Sequence, residues 1–117
     1  MIIMDQSTSR DDIERVVRKL GFVFSYRGTN CLVDSVLVCV QDPEALTAVT
    51  KRVYPAVAMR RGIKKWRNVE RNMRTAVEAF WVRGNRDFLN EMAGFPLRVR
   101  PSVGEVINYI VGYILDQ

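Results

Sequence analysis

The sequence predicts an all-α fold, a compact bundle of about six helices containing a helix-turn-helix, and three observations lead there. Apolar residues recur at three- and four-residue spacing through most of the chain. Serine and aspartate stand where helices would begin, and glycine where they would end. From about residue 55 to 84, a short helix, a glycine-containing turn and a longer helix follow one another. At 117 residues, nearly half of them apolar, the chain is read as a single domain with one core, preceded by a loose terminus over residues 1–8.

Taken in order, Ser9 is an N-cap with Asp11 and Asp12 in the first turn, where the helix dipole favours acids. Ile13, Val16, Val17 and Leu20 form the apolar stripe of this helix, and Gly21 stops it. Residues 22–29, with Tyr26-Arg27-Gly28-Thr29, read as a turn or short extended piece. Residues 31–40, CLVDSVLVCV, fit a buried strand or a buried helix, and the lack of a strand partner favours the helix. Asp42 and Pro43 then open a helix carrying Leu46, Val49 and Val53. Tyr54-Pro55 breaks or restarts it, with about two further turns up to Gly62. After the helix ending at Arg83-Gly84-Asn85, a short helix over 86–93 is closed by Gly94, and residues 95–101 are irregular or extended. Ser102 caps a final helix with Val106, Ile107, Ile110, Val111, Ile114 and Leu115 on its apolar positions.

Charge is unevenly spread. The chain carries a net charge of +5, but residues 51–74 hold nine basic side chains against the single acid Glu70. Such concentration is the electrostatic footprint of a polyanion partner, whereas a merely solvated face mixes both signs. This window runs into a helix with two unlike faces. Val69, Met73, Ala76, Val77 and Phe80 make one apolar stripe. Arg67, Arg71 and Arg74 make another, displaced by about 200° at roughly 100° per residue. A helix that buries one side and presents guanidiniums on the other suits the major groove of double-stranded DNA, where arginine takes guanine O6 and N7 together.

Arg71 and Arg74 are therefore candidate base contacts. Glu70 has two readings: it accepts from a cytosine amine, or it pairs with Arg74 one turn on. Lys51, Arg52, Arg60, Arg61, Lys64, Lys65 and Arg67 are candidates for phosphate contacts, which position a protein without reading sequence, and Thr75 for a neutral phosphate hydrogen bond. Trp66 is read as a core anchor in preference to a sugar contact, and Phe80 and Trp81 as core. Tyr109 and Tyr113 suit either ordinary rim packing or a protein interface.

Other chemistry is poorly supplied. There is no histidine, the commonest general base. Cys31 and Cys39 read as small core residues, so no disulfide, metal site or cofactor is expected. Glu70, Glu78 and Glu91 form no convincing pair with a nucleophile, so an enzyme is not expected. The Met1-Ile2-Ile3-Met4 start is too short for a signal-peptide core, and no apolar run approaches the roughly 20 residues of a membrane span. A soluble, intracellular (cytoplasmic) protein, without membrane association, is the expectation.

Two segments together, VTKRVYPAVA (Val49–Ala58) and VERNMRTAVEAFWVRGN (Val69–Asn85), resemble the C-terminal DNA-binding domain of the stage-zero sporulation response regulator family. The resemblance extends more weakly from about Arg10 to the C-terminus. It implies a six-helix fold, a transcriptional regulator and binding to short promoter boxes. It also implies that the V-E-R-x-x-R positions Glu70, Arg71 and Arg74 contact bases, which favours the first reading of Glu70. The turn before the long helix is one residue longer than the family pattern and lacks its Ser/Thr-rich helix entry. Recognition-helix tilt and the adjoining phosphate contacts therefore do not carry over. The family's phosphoacceptor receiver domain has no counterpart in these residues, so phosphorylation-driven dimerisation is not implied, although a dimer on DNA is compatible. The rival expectation is a protein-interaction module that modulates RNA polymerase or a full-length relative. Tyr109, Tyr113 and Arg98-Val99-Arg100 are its only hints.

Overall fold

Six α-helices are present among the described residues, 8–116, of the computed structural model, which contain no strand: α1 (Arg10–Leu20), α2 (Arg27–Gln41), α3 (Tyr54–Arg61), α4 (Trp66–Arg83), α5 (Arg86–Ala93) and α6 (Val103–Leu115). The expected loose terminus falls, but for Thr8, outside the described residues. The all-α bundle with its helix-turn-helix, α3-turn-α4, is as the sequence predicts.

Helix ends follow the sequence signals closely. The Ser9 hydroxyl accepts from the Asp12 N–H at 3.3 Å, and the Asp12 carboxylate accepts from the Ser9 N–H at 3.0 Å, closing a capping box. That backbone N–H, with the Ser9 hydroxyl second, lowers the Asp12 pKa from its ordinary value. Ser102 and Glu105 form the same box at the start of α6. Asn85 caps α5 by accepting from the Phe88 N–H at 3.1 Å.

Two stretches differ from expectation. α2 begins at Arg27, so Arg27-Gly28-Thr29 is helical rather than a turn. Tyr26 gives this helix no side-chain cap, which removes the usual start signal. Gly28 is there for close packing: a Cβ on it would lie 1.9 Å from the Asn72 carbonyl oxygen on α4. Between Asp42 and Tyr54 the chain is not a single α-helix. It makes a 3-10 segment, Pro43–Ala48, and then a π-helical turn, Val49–Val53. Ala48, at φ −145° and ψ 54°, breaks the run between them. This bent connection still buries Ala45 and Val53 and half-buries Leu46 and Val49.

α2 is the central element, buried at every position from Cys31 to Leu37. α1, α3, α4 and α6 pack around it, and α5 joins α6 to α1. Phe22 and Phe80 stack in the core with ring centroids 4.7 Å apart. Cys31 and Cys39 are free and buried, as expected of core thiols. Burial, with Asp42 adding to it, pushes the Cys39 thiol to about 11. No helix among the described residues is long and apolar enough to cross a membrane.

Candidate nucleic-acid interface

The interface is built from the turn outward. Gly62 ends α3 at φ 69°, a left-handed conformation that favours glycine, and the Ile63 N–H donates to the Ala58 carbonyl at 2.8 Å. Half-buried Ile63 fixes the turn to the core and leaves Lys64 and Lys65 exposed. Lys65 is the N-cap of α4 and makes no side-chain cap, in keeping with the missing Ser/Thr entry.

α4 is held from below. Val69, Met73, Ala76, Val77 and Phe80 are each at most 2 % exposed. Trp66 is half-buried against the core, its ring 6.3 Å from Tyr54, so the core-anchor reading holds. The Arg67 guanidinium lies 5.6 Å from the Trp66 ring centroid, which restricts where that charge points. Phe80 is buried and Trp81 half-buried, with the Arg86 guanidinium 3.8 Å over the Trp81 ring.

Above that base, Arg67, Arg71 and Arg74 are exposed. Half-buried Glu70 pairs with Arg74, so the intrahelical contact is present in the free protein. Arg71 makes no ion pair among the described residues. The Thr75 hydroxyl donates back to the Arg71 carbonyl at 3.3 Å. Behind Glu70 lies Tyr54, whose hydroxyl is pushed up to about 12 by burial and then by Glu70. It is therefore a neutral phenol beneath the charged face at physiological pH.

The remaining cations divide. Lys51, Arg60, Lys64 and Lys65 are exposed, and no ion pair among the described residues involves them. Arg52 donates to Asp42 at 2.5 Å. Arg61, expected among the phosphate contacts, turns inward instead. Its Nε donates to Asp34 Oδ2 at 2.5 Å and its Nη2 to Oδ1 at 3.3 Å. Arg10 from α1 reaches the same carboxylate.

Asp34 is fully buried in α2, and sequence reasoning passed over it. An acid in the apolar run CLVDSVLVCV was the available signal, because a buried carboxylate needs cations to pair with it. Burial raises the pKa of Asp34, but hydrogen bonds from Arg61 and Arg10 and their charges outweigh it and hold the pKa below its ordinary value. The carboxylate thus ties α1, α2 and the end of α3 together directly beneath the turn.

Tyr109 and Tyr113 meet neighbours within the domain, edge-on to Phe95 at 6.4 Å and to Phe88 at 5.3 Å, which matches the rim-packing reading. A comparison with known families matches most of the chain. The family described as "Sporulation initiation factor Spo0A C terminal" covers residues 13–114, and with them α2 to α5, most of α1 and all of α6 but its last residue.

Proposed function

This chain belongs to the Spo0A C-terminal family, the DNA-binding effector domain of a sporulation regulator, and from that premise we propose how it engages DNA. α4 enters the major groove of duplex DNA in a promoter box, and Glu70, Arg71 and Arg74 read base edges. Lys51, Arg60, Lys64, Lys65 and Arg67 contact phosphates, with Thr75 adding a contact if its hydroxyl leaves the Arg71 carbonyl. Arg61 is reassigned in this proposal from phosphate contact to support of the turn. The protein works at the chromosome, within the bacterial cytoplasm, as a transcriptional regulator without catalysis.

The observation that carries the proposal is the pairing of faces on α4. Its arginine stripe is exposed on the side opposite a stripe buried to 2 % exposure or less. Arg71 is poised to read: it is exposed, and no ion pair among the described residues has to break for it to bind.

The test is selection of bound duplexes from a random pool, followed by titration of variants. An enriched motif is expected. Arg71→Ala should lose about 1–3 kcal/mol of discrimination at one base position while keeping its affinity for random duplex nearly unchanged. Equal losses on the motif and on random duplex would sink the base-reading role. Half-sites near one helical turn apart would further indicate two domains bound side by side. Contact with RNA polymerase belongs to the same proposal and is tested by recruitment of the polymerase to the selected duplex.

A further inference from the structure

We infer that the segment between α5 and α6 carries a second phosphate-binding element, Arg98 and Arg100, that extends the DNA interface along α4. Resting on the proposed function, it adds residues that the basic window does not contain. Three observations carry it.

First, Arg98 and Arg100 are exposed on an irregular segment that Leu97 and Pro101 hold in place. The Leu97 N–H donates to the Asn90 side chain at 2.9 Å, and Pro101 is buried. The two arginines therefore project from a braced support. Second, Arg100 reaches α4 itself: its Nη1 lies 3.6 Å from Glu78 Oε2. Glu78 follows Arg67, Arg71 and Arg74 on the same exposed stripe of the helix. Third, Arg100 and Arg74 line one groove, together with Glu70, Val77 and the Ser102 end of α6. Both arginines thus border the same groove at the edge of α4, which Glu105 also lines.

Charge explains why this arrangement suits a polyanion. An acid on the DNA-facing stripe repels phosphate, and two stand there, Glu70 and Glu78. Each is paired with an arginine, Arg74 and Arg100 respectively. The Glu78–Arg100 pair is long, and both side chains are about half exposed, 48 % and 47 %. Pairs of that kind hold weakly. Arg100 is therefore free to exchange Glu78 for a phosphate when DNA arrives, with Arg98 beside it. Glu78 lies two turns beyond Arg71, about 10 Å along the helix. The contacts so gained are backbone contacts past the bases that Arg71 reaches, and they carry no sequence information.

The experiment is a salt titration of the whole chain on its selected duplex and on random duplex, comparing wild type, Arg71→Ala and the double variant Arg98→Ala/Arg100→Ala. Each phosphate contact contributes about 0.9 to the slope of log K against log salt. The double variant should lower that slope by about 2, weaken both duplexes alike and leave the preferred motif unchanged. An unchanged slope in a folded double variant overturns the inference. If the alanine pair fails to fold, Arg98→Gln/Arg100→Gln keeps most of the side-chain bulk and must give the same loss of slope. Glu78→Gln should tighten binding to all duplexes, and less so in an Arg100→Ala background. An equal or larger gain there overturns the exchange of Glu78 for phosphate. Failure of the underlying reading looks different: wild type is not retained on any duplex, or Arg71→Ala keeps full discrimination.

Discussion

Along α4, Val69, Met73, Ala76, Val77 and Phe80 are sealed from water, while Arg71 and Arg74, only one or two residues away in sequence, stand in it. The two faces obey different physics. The buried face is close-packed, so a lost or added methyl group there is felt at once. The exposed face is held only by long side chains and salt-screened charges, and substitutions on it barely touch stability. Orientation of the helix thus resides in one set of residues and recognition in another. Variants of the first kind should lose stability and binding together, and variants of the second kind binding alone.

The largest effect is expected from the buried face. Phe80 is 2 % exposed and stacks on Phe22, so Phe80→Ala should cost about 3–5 kcal/mol in urea unfolding. Duplex binding should fall in parallel. Full stability in this variant would mean that the helix is not anchored as described.

Asp34 comes next. Removing its charge leaves Arg10 and Arg61 without their common partner. Because both arginine side chains stay about a third exposed, the loss for Asp34→Asn should be about 2–3 kcal/mol, below that of a fully buried pair. The pH dependence has a definite sign. The folded pKa of Asp34 is lowered, so its contribution is complete above about pH 4, the unfolded value, and is lost as pH falls through the folded one. Wild type should lose stability on acidification below pH 4, and Asp34→Asn should lose less over the same range. The residual slope belongs in part to Asp12, whose pKa is lowered too. Identical acid profiles for the two proteins would refute the clasp.

Gly28→Ala tests the closest approach of α2 to α4. A Cβ 1.9 Å from backbone oxygen forces one helix to move, which should cost about 1–3 kcal/mol. Since α4 is the element displaced, motif selectivity should drop more than stability alone accounts for. A variant that binds and unfolds like wild type would show that α2 and α4 are not in the close contact described.

These buried details also mark where the sequence stops being legible. α1, α5 and α6 could be read because Ser9, Asn85 and Ser102 lead helices that end close to their last periodic apolar residues. The two stripes of α4 could be read because periodicity is local. The start of α2 could not, since Tyr26 supplies no cap and Gly28 looks like turn chemistry when its role is contact with another helix. The spacing from Pro43 to Val53 suggests an α-helix, but 3-10 and π geometry keep similar apolar residues inward, so spacing does not separate them. Arg61 shows the same limit at the candidate site. Within the sequence it is one more cation in a basic window, and only the fold sets it beside Asp34, 27 residues earlier.

The smallest effect, and the finest test of the division between faces, is expected from Glu70. It pairs with Arg74 one turn on, which is worth about 0.3–0.5 kcal/mol at an exposed site. Glu70→Gln should therefore barely move the unfolding midpoint. Its effect on DNA separates the two roles open to this residue. If Glu70 only holds Arg74, removing an acid from a phosphate-facing surface should tighten binding to every duplex and leave the order of preference unchanged. If Glu70 accepts from a cytosine amine, random duplex should still bind more tightly, but the selected motif should lose its advantage at one position. The proposed function requires the second outcome, because it counts Glu70 among the side chains that read bases. Selection from a random pool with Glu70→Gln, scored at that position, decides between them.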